Sequence, residues 1–411
     1  MRVDLEGKRC LVTGGTGFIG GRLIERLVLQ CGAEVRAVVR NFTNAARMAR
    51  FPVEMIAGDV ADPAVVARAA EGCDIVFHCA YGNSGDADRQ RAVTLGGTEN
   101  VLEAALKGGR TRVVNLSTIT VYGPAADGDL TEDMPRVRVG DSYSDSKLDA
   151  ERACLDYASK HSLPVAVLQP AMVFGPFGPA WTLRILNDLL NARVILVNGG
   201  DGWCNAVYVD DVVSAMLLAG VKDEALGEVF LVAGEQPVTW KQFYRRHEQV
   251  LGIESTVEMS MAEAEALWNS QAAPRGPKSI FREAIDIFRE QSSLRWRVQE
   301  TTEVAAILRA AGAVTPWRVK NYLKQRLVGE ANGAATADAA AGENGKTAAE
   351  EKPIMRQPPA LLKMNAAKTH VRIDKARRLL GYRPEFDFES GMVLTEQWAH
   401  WAGFGSEAAR A

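Results

Sequence analysis

The chain is short of the features that would mark several common functions. Its six cysteines, Cys10, Cys31, Cys73, Cys79, Cys154 and Cys204, form no C-x-x-C pair, and no His/Cys cluster has zinc-ligand spacing. No metal is therefore expected. Thiols set in apolar runs, such as Cys10 before Leu11-Val12, read as small core residues in a reducing compartment. Charge of one sign is also lacking: 48 Lys and Arg against 51 Asp and Glu leave a net charge of −3. That balance carries no basic footprint for nucleic acid. Long hydrophobic runs are missing as well, since the longest near the middle, residues 212–221, is too short to span a bilayer. Residues 1–9 alternate charge with small apolar residues and lack the apolar core of a secretion signal, so the expected location is cytoplasmic.

What is present is an alternation of two periodicities. With 411 residues, 47% hydrophobic and 24% charged, the chain is expected to form two or three soluble domains. Residues 9–14 (Arg-Cys-Leu-Val-Thr-Gly) read as a buried strand, and residues 20–30 as a helix with Leu23, Ile24, Leu27 and Val28 on one face, ended by Gly32. Further strands are expected over 35–40, 54–56, 75–79, 112–117, 164–169 and 229–232. Strands alternating with helices imply an α/β fold with a doubly wound parallel sheet. The expected segmentation is a doubly wound core over 1–170, mixed segments over 171–254, a strand-free helical insertion over 255–328, a flexible linker over 329–357, and C-terminal helices over 358–411. The linker expectation rests on a run of Ala, Gly, Glu, Asn and Thr with no large apolar residue. Near the end, residues 373–382 suggest a short helix with Asp374 as its N-cap and Gly381 as its stop.

The loop after the first strand reads Gly14-Gly15-Thr16-Gly17-Phe18-Ile19-Gly20. Between a strand and a helix these glycines have distinct physical tasks. Gly14 makes the tight turn, Gly17 admits close approach to a pyrophosphate, and Gly20 lets helix pack on strand. The helix N-terminus then offers unpaired N–H groups to the phosphates. A dinucleotide site is expected, with Thr16, Phe18 and Ile19 beside the glycines. The second strand ends Val38-Val39-Arg40-Asn41 with no acid for ribose hydroxyls. Arg40 suits a 2′-phosphate instead, with Arg36 and Arg47 as possible helpers, which favours NADP over NAD. The competing reading makes Arg40 a solvated loop residue. Asp59, followed by Val60, is placed to accept from an adenine amino group or to cap the helix beginning near Pro63. Ala80 and Tyr81 follow the fourth strand, where small residues let a ribose lie against the backbone. His78 in its apolar run reads as a satisfied core histidine.

Tyr143 and Lys147 stand four apart, on one face of a helix. A phenol is a poor acid–base group at neutral pH, and a neighbouring ammonium and a nicotinamide charge would bring it toward working range. Ser117-Thr118 follows a strand, where a hydroxyl can donate to a substrate oxygen gaining charge. Together with T-G-G-T-G-F-I-G at 13–20, Y-S-D-S-K at 143–147, P-A-M-V-F-G-P at 170–176 and Y-V-D-D-V at 208–212, the chain resembles the extended short-chain dehydrogenase/reductase family, the NAD(P)-dependent epimerase/dehydratase superfamily. The resemblance covers about residues 1–250 and resumes near 368–400. It implies a Rossmann fold, Tyr143 as acid–base, Lys147 as its activator and a holder of the nicotinamide ribose, and Thr118 with Ser117 as the third member. It also implies backbone from Pro170 to Val173 at the nicotinamide end, and a homodimer.

The departures narrow the activity. Sugar-nucleotide dehydratases of this family carry Thr-Asp-Glu where this chain has Thr118-Ile119-Thr120, so water elimination lacks its acid and base. The arginine that holds a diphosphate in nucleotide-sugar epimerases is absent before Tyr208, and the family's Arg-Pro is Gln169-Pro170. The segment at 35–41 is similar to the dihydroflavonol-reductase-like branch. The expectation is a reductase or dehydrogenase acting on a keto-sugar or another small carbonyl, ahead of an epimerase with retained NAD, and ahead of a non-catalytic dinucleotide-binding assembly or sensor subunit. Phe174, Phe177, Trp181, Trp203 and Tyr208 lie where a substrate pocket would be, though each alone reads as core. Residues 317–327 form a basic amphipathic stretch, read as a solvated helix in preference to a membrane contact.

Overall fold

The structure is a computed structural model, and it describes residues 3–109, 111–270 and 352–405. The chain divides into two compact units, residues 1–268 with 352–411, and residues 269–351. The expected basic stretch at 317–327, most of the 255–328 insertion and most of the 329–357 linker lie outside the described residues.

The first unit opens with β1 (Arg9–Thr13), α1 (Phe18–Leu29), β2 (Glu34–Val39), β3 (Val53–Ala57), α2 (Pro63–Ala70) and β4 (Ile75–His78). It continues with α3 (Ala87–Arg91), α4 (Gly97–Lys107), β5 (Arg112–Leu116), β6 (Gly128–Leu130), α5 (Ser142–His161) and β7 (Val165–Pro170). Then come β8 (Met172–Phe174), α6 (Arg184–Asn191), β9 (Val194–Val197), β10 (Trp203–Cys204), β11 (Ala206–Tyr208), α7 (Val209–Val221) and β12 (Val229–Val232). The remainder is β13 (Val238–Thr239), α8 (Trp240–Leu251), β14 (Thr256–Met259), α9 (Met261–Asn269), α10 (Pro359–Ala366), β15 (Thr369–Val371), α11 (Asp374–Leu380) and α12 (Phe388–Trp401).

Seven strands make one sheet in the order β12-β7-β5-β4-β1-β2-β3, every pairing parallel. The continuous apolar runs have their cause here. Cys10, Leu11 and Val12 are fully buried because helices cover both faces. All seven expected strands are in this sheet, so the doubly wound reading holds. Strand order reverses between β1 and β4, and in such sheets the crevice at the carboxyl ends of those two strands receives ligands.

Smaller two-stranded pairs lie beyond the sheet, β8 with β11, β9 with β14, β10 with β13, and β6 with β15. Two expectations are corrected in this region. The stretch from 255 begins with a strand, β14, parallel to β9; four residues of mixed burial carry too little alternation to register in sequence. The last residues of the 329–357 linker are tied down, with Arg193 N–H bonding Pro353 O and Met355 N–H bonding Arg193 O, both at 2.8 Å. Farther on, Asp374 occupies the first turn of α11, whose N-cap is Ile373, while Gly381 ends the helix at φ 69°. Among the described residues no helix is long and apolar enough to cross a membrane.

Candidate active site

The glycine turn meets its expected geometry. Gly14 has φ 69°, and a Cβ there would come 2.8 Å from Ala80 N. A Cβ on Gly20 would come 2.4 Å from Gly14 O. Gly17 is the N-cap of α1, with no side chain capping it and no acid in the first turn. The first N–H groups of that helix, those of Phe18 and Ile19 among them, have no intrahelical acceptor. They stand at the crevice, beside Thr16 and Ala80, where a pyrophosphate would take them. The residues present thus fit a dinucleotide.

At the carboxyl ends of β2 and β3, where an adenosine is expected, Asp59 and Arg40 come together with a further residue, Arg89. Asp59 accepts from Ala61 N at 3.0 Å, forms an ion pair with Arg89, and has Arg40 at 3.9 Å. It does not cap α2: Asp62 does, accepting from Ala64 N at 2.9 Å. Val60 is buried and its carbonyl accepts from Asn100 at 2.9 Å. Arg36 is excluded as a helper. Its guanidinium turns away to Glu54 at 2.8 Å and to the carbonyls of Ala69 and Glu71, both at 2.9 Å, where it closes the end of α2. Arg47 lies 4.1 Å over the Phe177 ring, and among the described residues no carboxylate pairs with it. Burial holds its pKa below the ordinary arginine value. His78 is a core residue, held between Thr13 at 2.7 Å and Thr98 at 3.0 Å, and burial pushes its pKa down to about 3.

Helix α5 carries Tyr143 and Lys147, the pair expected to react. It is capped by Asp141, which accepts from Ser144 N at 2.8 Å, and beside Leu148, Ala150 and Cys154 it buries the polar Ser144, Ser146, Lys147 and Glu151. A helix that turns such residues inward does so for more than packing. Lys147 is buried and donates to Leu116 O at 2.7 Å. Burial lowers its pKa to about 8, opposed by Cys79, Cys154 and Glu151. Tyr81 bridges the pair, its ring 5.7 Å edge-on from Tyr143 and 5.4 Å from Lys147 Nζ. Tyr143 is 37% exposed as a residue, but its phenol end sits beside Thr118. Burial pushes its pKa up to about 12, against the Thr118 hydrogen bond and with Tyr81 and Asp141 adding to the rise.

Thr118 and Ser117 part company. Thr118 caps the 3₁₀ turn Ile119–Tyr122 by accepting from Thr120 N at 3.3 Å, which leaves its own O–H free to donate toward Tyr143 and the crevice. Ser117 donates instead to Glu151 at 2.6 Å, away from any reacting atom. Glu151 is a residue that the sequence reading missed; its position four after Lys147 is the signal that could have found it. Pro170 ends β7, and Val173 pairs with Val207 in the β8–β11 ladder. Phe174 and Tyr208 are core, 5.6 Å apart edge to face. Trp181 packs on Trp240 at 5.7 Å, and Trp203 sits 6.0 Å edge-on to His370.

Known proteins match this geometry. The family model described as the NAD dependent epimerase/dehydratase family matches residues 10–233. A 4-hydroxy-2-methyl-3-oxo-4-farnesyl-3,4-dihydroquinoline-1-oxide ketoreductase from Stigmatella aurantiaca is 30% identical over 255 residues, 61% of this chain and 75% of that protein. A 3 beta-hydroxysteroid dehydrogenase/Delta 5-->4-isomerase from Mycobacterium tuberculosis is 30% identical over 257 residues, 58% of this chain and 68% of that one. In fold, a UDP-glucuronic acid 4-epimerase from Bacillus cereus, solved with UDP-glucuronic acid and NAD, superposes with a TM-score of 0.62 at 17% identity, over 96% of this chain and 99% of that one. With its parallel sheet, glycine turn and polar helix in register with a model that spans more than half its length, the chain belongs to the NAD dependent epimerase/dehydratase family.

Proposed function

We propose that the protein is an NADPH-dependent reductase that interconverts a ketone and a secondary alcohol at Tyr143. The observation that carries this is the placement of Thr118, Tyr143 and Lys147 at the carboxyl edge of the sheet, on the same side as the uncapped start of α1. A nicotinamide bound there would supply the hydride that adds to the carbonyl carbon. Tyr143 gives its proton to the carbonyl oxygen, and Thr118 donates a hydrogen bond to that oxygen as it gains charge. A phenol raised to about 12 is protonated at neutral pH, the form that reduction needs. Lys147 places a positive charge behind the phenol as the proton leaves.

Two observations favour a reductase of apolar ketones over a nucleotide-sugar epimerase. First, Arg40 and Arg47 supply cations at the adenosine side, as a 2′-phosphate requires. Second, the loop 131–141 runs from the end of β6 to the start of α5, joined by Val137 N–H to Val121 O at 2.9 Å and Val139 N–H to Asp145 at 2.9 Å. It exposes Met134, Val137 and Val139. Its arginines are already paired, Arg136 with Glu151 and Arg138 with Asp145 and Asp149, so the loop offers a diphosphate no free cation. The relatives named for a ketoreductase and a hydroxysteroid dehydrogenase are consistent with such a substrate.

The test is NADPH oxidation with a 3-ketosteroid, a long-chain 2-alkyl-3-oxoalkanoate and a UDP-4-keto-sugar. Tyr143→Phe should lower turnover by about 10²-fold or more, while the NADPH dissociation constant stays within about twofold. Wild-type turnover in that variant would end the assignment. Tightly retained NAD in the purified protein, with no net NADPH oxidation, would favour the epimerase instead.

A further inference from the structure

Glu151 is completely buried, one turn beyond Lys147 and two beyond Tyr143 on the same face of α5. A carboxylate in such a place needs its charge and its lone pairs answered. Its hydrogen bonds come from Ser117 at 2.6 Å and from Gln169 Nε2 at 2.8 and 3.0 Å. Gln169 is itself oriented by Tyr122, whose hydroxyl donates to Gln169 Oε1 at 2.8 Å. The charge is answered from elsewhere. Among the described residues the one side-chain cation in ion-pair contact with Glu151 is Arg136, whose guanidinium also lies 5.6 Å over the Tyr122 ring.

Arg136 does not belong to the sheet or to α5. It is carried by the loop 131–141, which exposes Met134, Val137 and Val139 and whose end, Asp141, caps α5 two residues before Tyr143. The same loop is fastened at its start, where Glu132 accepts from Leu231 N–H at 2.9 Å. The 116–118 segment is gripped in turn: Leu116 O holds Lys147, Ser117 holds Glu151, and Thr118 faces Tyr143. A single buried carboxylate therefore connects the loop that leads into α5 to the strand end that carries Thr118 and holds Lys147.

Resting on the reductase reading above, we infer that Arg136 and Glu151 are positioning residues, an ion pair between a half-buried arginine and a fully buried carboxylate that couples the 131–141 loop to the placement of Thr118 and Lys147. The position of the arginine matters here, and not only its charge. An arginine at 169 would meet the same carboxylate, since Gln169 Nε2 already touches both of its oxygens, but it would leave the loop untied.

Moving the charge tests this. Hydrogen–deuterium exchange of segments 131–141 and 116–123, melting temperature, NADPH binding by fluorescence, and kcat and KM on the responsive ketone are measured for the full chain. The variants are Arg136→Gln, Arg136→Gln with Gln169→Arg, and Tyr143→Phe. Arg136→Gln should speed exchange in both segments and lower kcat on the order of tenfold or more, with a smaller change in NADPH affinity. Adding Gln169→Arg should recover the melting temperature but neither the slow exchange of 131–141 nor kcat. This restored-charge variant keeps the test readable if the single variant folds poorly. Recovery of kcat together with stability would overturn the inference, because charge balance alone would then suffice. Wild-type exchange and kcat in Arg136→Gln would overturn it as well. Tyr143→Phe separates the two readings: full turnover there defeats the reductase mechanism, while the exchange results on Arg136 stand or fall independently.

Discussion

Lys147 carries its charge where burial resists it, and that sets a pH limit on the site. Its pKa is lowered to about 8, so the ammonium is present below that pH and is lost as pH rises through it. Tyr143, raised to about 12, keeps its proton across the same range. The reductive kcat should therefore be level from pH 6 to 7 and fall through a single limb centred near pH 8. Lys147→Met should be slow throughout and lack that limb; a limb that persists in the variant would assign it to another group. The adenosine side makes a second residue-level prediction. Among the described residues Arg47 has an aromatic neighbour but no carboxylate in ion-pair contact, and Arg40 shares Asp59 with Arg89. Replacing either with alanine removes a charge-assisted bond worth about 1.5–3 kcal/mol, so KM for NADPH should rise roughly tenfold or more with KM for NADH little changed. Equal losses for both cofactors would count against the NADP preference.

The contact between α1 and the turn before it depends on the absence of side chains. A methyl on Gly20 would press 2.4 Å from Gly14 O and 2.9 Å from Gly14 C, both rigid backbone. Gly20→Ala should cost about 1–3 kcal/mol and weaken NADPH binding together with stability. Gly96 gives the opposite case. Its φ and ψ are helical at −60° and −39°, and a Cβ there would meet nothing within 4 Å. Gly96→Ala should stabilise by about 0.4–1 kcal/mol, read as a rise in melting temperature with NADPH affinity unchanged. The glycine turn, the seven sheet strands and the Tyr143–Lys147 spacing were legible because each is a local pattern with a local cause. Glu151 with Arg136, and Arg36 with the end of α2, were not. Each joins residues 15 to 35 positions apart through side-chain reach, and no periodicity records which cation will meet a given carboxylate. β14 was missed for a different reason, since pairing with β9 and not its own four residues makes it a strand.

The C-terminal segment from residue 352 packs into the first unit, and three sets of contacts show how closely it is built in. Asn205 donates to Thr369 O at 2.8 Å and accepts from Val371 N–H at 2.9 Å, which sets β15 beside β6. Asp211 accepts from the backbone N–H groups of Glu385 at 2.7 Å and Phe386 at 3.3 Å. Tyr382 is completely buried in the same core as β1 and β12, and its hydroxyl donates to Ala233 O at 3.0 Å. Phe386, four residues on, packs its ring 4.5 Å from that of Tyr208, tilted by 42°. If this tail were an appendage, truncating Tyr382 would leave the dinucleotide-binding core intact. The packing argues otherwise, because the ring fills space between α7, α11 and the end of β12. Tyr382→Ala should cost about 3–5 kcal/mol through the cavity it leaves, whereas Tyr382→Phe, which strands one carbonyl, should cost about 1–3 kcal/mol. Denaturant unfolding followed at once by tryptophan fluorescence and by bound-NADPH fluorescence checks this: both signals should shift to lower denaturant together in Tyr382→Ala. A shift in the tryptophan signal alone would mean that the tail folds as a separate layer over an independent nucleotide-binding core.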